Sequence, residues 1–132
     1  MKGIASKIPK ALPSGARLLC DDNSGAKIVQ IIGMIGIKGR KGRYPFAGVS
    51  DRVAVSVKKG NPEMIGKVEH AIIIRQKRPI KRISGLRVMF EDNAVSLVDE
   101  QVLPKGTEIK GVIAREVAER YPKVSAIASA II

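Results

Sequence analysis

"RVAVSVKK", residues 52–59, alternates apolar and polar side chains with a period of two and sets Val53, Val55 and Val57 on one face. Successive side chains of a strand point to opposite faces, so this stretch describes a strand with one buried side. "GNPE" (60–63) then turns the chain. Working back, "ARLLC" (16–20) ends at "DDNSG" (21–25), whose residues supply local side-chain hydrogen bonds and a positive-φ position. "KIVQIIGMIGI" (27–37) is a long strand in which Gly33 and Gly36 predict a bend or bulge. Working forward, "KVEHAIIIRQK" (67–77), "LRVMFE" (86–91) and "AVSLVD" (94–99) continue the series, the last two separated by a tight turn at Asp92 and Asn93.

Only the end of the chain has helical spacing. In "GVIAREVAERYP" (111–122), Ile113, Val117 and Tyr121 fall at i, i+4 and i+8, and Pro122 stops the run. "KVSAIASAII" (123–132) predicts a short second helix. Five or so short strands with Gly-rich corners, followed by helix, predict a mainly β fold: a small closed β-barrel with a C-terminal helical appendage over 111–132. At 132 residues and 45% hydrophobic content, one domain spanning 1–132 is expected, opened by a basic extension over 1–14.

Charge is the unusual quantity. The chain holds 24 Lys and Arg against 12 Asp and Glu, a net charge of +12, and such a surplus favours polyanions. Residues 1–90 carry 19 basic and 5 acidic side chains, whereas 91–132 carry 5 and 7. No apolar run reaches the about 18 residues that a membrane-spanning helix needs, so no membrane partner is expected. The start does not read as a secretory signal, and the single Cys20 fits a reducing compartment; the cytoplasm is the expected location.

Two segments concentrate the cations. "GIKGRKGRYPFAG" (36–48) sets Lys38, Arg40, Lys41 and Arg43 among glycines, with Tyr44 beside them; glycines let backbone approach a phosphate ribbon that the cations can neutralise. "IIIRQKRPIKRISG" (72–85) carries Arg75, Lys77, Arg78, Lys81 and Arg82, followed by Arg87. Pro79 cannot sit in a central strand, so the chain is expected to leave the sheet there and project. Lys58 and Lys59 lie beside these segments. Single-strand binders stack bases on aromatic rings, and only Tyr44, Phe46, Phe90 and Tyr121 are present, so phosphate contact with folded RNA is the better reading than base readout.

Catalysis finds little support. His70 and Cys20 each sit in a strand pattern without a partner motif, and no metal-ligand spacing or cofactor motif occurs. "GNPEMIGK" (60–67) fails as a phosphate loop on spacing, and Val68 stands where Ser or Thr belongs. The glycine pairs near 36–42 lie between strands, unlike the interhelical clamp of KH domains. Asp21, Asp22, Glu91 and Asp92 flank turns, where acids commonly cap the chain.

"DNSGAK" (22–27), "GRYPFAGVSD" (42–51), "VKKG" (57–60), "HAIIIRQK" (70–77), "FEDNA" (90–94) and "GTEIKGVIARE" (106–116) together resemble the universal L-fourteen family of large-ribosomal-subunit proteins, its archaeal and eukaryotic branch in particular, with an archaeal origin preferred. The resemblance implies a five-stranded barrel with a projecting β-hairpin and a non-enzymatic role on large-subunit rRNA, without a cofactor. It implies further contacts with small-subunit rRNA in an intersubunit bridge, with a neighbouring large-subunit protein, and with an anti-association factor at the C-terminal face. Lys38, Arg40, Lys41, Arg43, Arg75, Lys77, Arg78, Lys81 and Arg82 match the family's basic loops, and Arg115, Glu116, Glu119 and Tyr121 fall on the expected protein-contact face. The rival reading is a free RNA-binding translation factor on a similar barrel.

Overall fold

The structure, a computed structural model, describes residues 6–36 and 45–132. In chain order its elements are β1 (Leu12–Pro13), β2 (Arg17–Cys20), β3 (Ala26–Met34), β4 (Phe46–Ala47), β5 (Arg52–Gly60), β6 (Val68–Arg75), β7 (Ile80–Lys81), β8 (Arg87–Val88), β9 (Ala94–Val98), β10 (Ile109–Ile113), α1 (Arg115–Arg120), α2 (Pro122–Ser125) and β11 (Ala128–Ile131). Strands β2-β3-β5-β6-β9 close into a barrel. All its pairings are antiparallel except β2 with β9, which run parallel and match Leu19 to Ala94 and Cys20 to Val95. Closure leaves no unpaired strand edge in this sheet.

The alternation of β5 survives folding: Val53, Val55 and Val57 are buried, and the residues between them are not. Burying each such side chain contributes about 1.5–3 kcal/mol before entropy is counted. In β3 the register slips between Ile31 and Gly33, where the glycines predicted a bulge. Strands β6 and β9 behave differently, since Ala71 to Arg75 and all five residues of β9 are buried. Neighbouring segments run against both: the amides of Ala114 and Ser50 donate to the Ile74 and Ile73 carbonyls of β6, and that of Lys105 to the Leu97 carbonyl of β9. A strand covered on both sides loses the polar half of its alternation, which accounts for the unbroken isoleucines at 72–74.

Two expected elements differ. "LRVMFE" does not pair with β9; β8 pairs with β7 to form a small hairpin, matching Ile80 to Val88 and Lys81 to Arg87. This is the departure that Pro79 predicted. The helix expected over 111–122 starts only at Arg115, because Gly111 to Ile113 belong to β10. The tail likewise ends in a strand, β11, which pairs parallel to β10. Parallel neighbours need a crossover connection, and α1 and α2 supply it. Ile113, Val117 and Tyr121 are all buried as the spacing required.

Candidate nucleic-acid interface

The cations of the basic segments divide into those that face inward and those that face solvent. Arg75 ends β6 with its side chain only 8% exposed. Its Nε and Nη2 donate to the two carboxylate oxygens of Asp92 at 2.8 and 3.0 Å, and Nη1 donates to Asp21 at 2.6 Å and the Val112 carbonyl at 2.9 Å. Gly111 makes this possible, since a Cβ there would overlap both the guanidinium and the Asp21 carboxylate. Burial opposes the charge on Arg75, but the hydrogen bonds from Asp92 and Asp21 outweigh it and raise the pKa above its ordinary value. Arg75, expected to meet phosphate, instead ties β6 to the β8–β9 turn and to β10. Asp21 and Asp92, expected as turn caps, are its counter-charges.

Arg82 departs from expectation in the same way. Nε donates to Glu116 Oε1 at 3.0 Å, and Nη2 donates to Glu116 Oε2 at 3.3 Å and the Ile132 carbonyl at 2.7 Å. Glu116 also accepts the Ser6 hydroxyl at 2.9 Å. Burial would raise the Glu116 pKa, yet the bonds from Arg82 and its backbone hold the carboxyl below the ordinary range. Glu116 and Tyr121 are both buried, so of the four residues expected on a protein-facing surface only Arg115 and Glu119 are exposed.

Lys58, Lys59, Lys77, Arg78, Lys81 and Arg87 are exposed. Lys59 and Lys77 flank a groove with Arg17 over a floor that includes Leu19 and Ile28. Arg78, Lys81 and Arg87 line a larger groove of about 560 Å³ together with Lys7, Ile8, Pro9 and Pro79. Among the described residues no carboxylate pairs with Lys7, Arg78, Lys81 or Arg87. Lys38, Arg40, Lys41, Arg43 and Tyr44 lie outside the described residues.

Lys7 carried no role in the sequence, and only the basic composition of 1–14 pointed to it. From Lys7 to Pro13 that segment is pinned at several points. Lys7 and Lys81 exchange backbone hydrogen bonds of 2.9 and 3.1 Å, and Gln76 Nε2 donates to the Pro9 carbonyl at 3.3 Å. Lys10 Nζ reaches Asp51 at 2.6 Å, and β1 pairs with β4. A Cβ on Gly48 would press on Ile8 and the Pro9 carbonyl, so a glycine there lets the segment seat closely.

His70 and Cys20 give no sign of chemistry. Burial, reinforced by the charge of Asp22, pushes the Cys20 thiol up to about 12, where little nucleophilic thiolate exists at neutral pH. Among the described residues no cluster of three or more His, Cys, Asp or Glu could hold a metal ion, and no helix is long and apolar enough to cross a membrane.

Residues 11–132 match the family described as Ribosomal protein L14p/L23e. Proteins named large ribosomal subunit protein uL14 are similar over the whole length: 53% identical in Methanoregula boonei, 51% in Methanocorpusculum labreanum and 50% in Thermoplasma volcanium, each alignment covering 100% of both chains.

Proposed function

Because the chain belongs to the ribosomal protein L14p/L23e family and is a non-enzymatic protein of the large ribosomal subunit, we propose that it binds large-subunit rRNA through the solvent-facing cations of Lys58, Lys59, Lys77, Arg78, Lys81 and Arg87. The observation that carries this reading is that, among the described residues, no carboxylate pairs with Arg78, Lys81 or Arg87 at the β7–β8 hairpin, whereas Arg82 between them is held by Glu116. Each Lys or Arg set against a phosphate releases condensed counterions, which supplies affinity without base readout. Lys38, Arg40, Lys41 and Arg43, outside the described residues, enter the proposal on charge alone.

The C-terminal unit faces proteins in the same proposal. It exposes Arg115 and Glu119 on α1 and the apolar Ile131 and Ile132 at its end, and its charge is near balance. A neighbouring large-subunit protein and an anti-association factor are assigned to that side, and small-subunit rRNA in an intersubunit bridge to the adjoining rim. Sedimentation tests the core of the reading. A structural component stays with the large subunit through a moderate salt wash; release into the supernatant would favour a free translation factor.

A further inference from the structure

Like charges placed directly opposite one another on a β-ladder repel and destabilise it. Lys7 bridges Lys81, and Lys81 pairs in turn with Arg87, so three cations stand in one row across three neighbouring strand segments. Arg78 joins the row at the groove it borders, and no acid among the described residues offsets it. A fold has no reason of its own to build such a row. The floor beneath it is apolar, from Ile8, Pro9 and Pro79, and the groove of about 560 Å³ falls within the roughly 300–1,000 Å³ typical of sites that enclose a small ligand.

We propose that this groove captures one unpaired nucleotide of an RNA: its flanking phosphates lie along Lys7, Lys81, Arg87 and Arg78, and its base covers the ring carbons of Pro9 and Pro79. The inference rests on the rRNA-binding reading and sharpens it. A duplex presents phosphates but keeps its bases stacked inside, so it satisfies the cations and leaves the apolar floor wet. An extruded base removes that apolar surface from water as well. Lys7, Ile8 and Pro9 lie before the 11–132 span that matches the family, and Arg78, Pro79, Lys81 and Arg87 lie within it.

Three RNA hairpins of equal length and charge decide between base capture and phosphate contact: one with a single unpaired adenosine, one with an abasic residue at that position, and one fully paired. Fluorescence anisotropy with the full chain should show the adenosine bulge bound about fivefold tighter than the other two, the lower end of what a stacked base contributes, since proline carbons replace an aromatic ring here. Pro79→Ala should erase this preference while keeping affinity for the paired hairpin. Lys81→Glu should weaken all three yet raise the Tm of the free protein, because it relieves the row. A residue with a purely structural role would not move affinity and Tm in opposite directions. Equal affinity for the three hairpins overturns base capture, and an unchanged or lowered Tm with unchanged affinity in Lys81→Glu overturns the role of the row. Large-subunit rRNA measured in parallel separates the two levels: salt-sensitive binding there, with no preference among hairpins, removes the groove proposal alone. No binding to that rRNA removes both.

Discussion

Arg75 at the end of β6 and Arg87 on β8 are arginines of one basic stretch, yet the first has two carboxylates and a carbonyl around its guanidinium while the second has no acidic partner among the described residues. The end of β6 folds its charge inward, whereas Arg78, Lys81 and Arg87 around Pro79 turn theirs out. Burying an ion pair removes water from both partners, which only complete hydrogen bonding offsets. Arg75 and Arg82 meet that requirement, Arg82 through Glu116 and the Ile132 carbonyl. A high density of Lys and Arg therefore describes two different things here: struts of the protein and contacts for a polyanion.

Substitution at Arg75 should break this contrast most visibly. Arg75→Ala leaves Asp21 and Asp92 without their shared cation; because the two carboxylates keep 23% and 33% of their side-chain exposure, the cost should fall below the about 3–5 kcal/mol of a fully buried pair, at about 2–3 kcal/mol. Arg87→Ala should change stability by no more than about 0.5 kcal/mol, the usual range for an exposed position. Urea denaturation of both variants checks the difference, and equal losses would erase the distinction between wall and hairpin.

Arg82 sits between the regions, on the hairpin in sequence and against the C-terminal unit in space. Arg82→Glu should destabilise the fold by a few kcal/mol by setting an acid against Glu116, so any loss of assembly into subunits in that variant reports folding before binding. The pH dependence gives a second view. Glu116 titrates lower in the folded protein than in the unfolded chain, so the unfolded state takes up its proton first as pH falls. The stabilisation is complete above the ordinary carboxylate range and is lost as pH falls through the lowered value. Melting curves of wild type and Glu116→Gln between about pH 6 and 3 should therefore converge toward the acid end.

The smallest effect belongs to Cys20. With its thiol held near 12 by burial and by Asp22, it should resist iodoacetamide at pH 8 until the chain is unfolded in guanidinium. Fast alkylation of the native protein would show that β2 and β9 open at their parallel seam.

The strand periodicities carried most of the fold. Val53, Val55 and Val57 announced β5 because one of its faces is bare, and Gly33 announced the slip in β3 because a bulge needs a residue without a side chain to pack. The parallel seam of β2 with β9 left no trace, since pairing partners far apart in sequence impose no local pattern. "LRVMFE" resembles a core strand in composition, but Met89 and Leu86 are exposed on the hairpin. The same distinction governed the site. Exposed Arg78, Lys81 and Arg87 were legible as cations without nearby acids, whereas the inward turn of Arg75 depends on Asp21, 54 residues away, and on the missing side chain of Gly111.

The salt dependence of binding to large-subunit rRNA tests the division of labour most directly. In a plot of log K against log salt concentration, the double variant Arg78→Ala with Arg87→Ala should lower the slope by about 0.7–0.9 for each phosphate contact removed, with its melting temperature not lowered, since Arg87 leaves the row of like charges. A slope identical to that of the wild type would mean that the outward cations of the hairpin do not meet the RNA, and the account would fail at its centre.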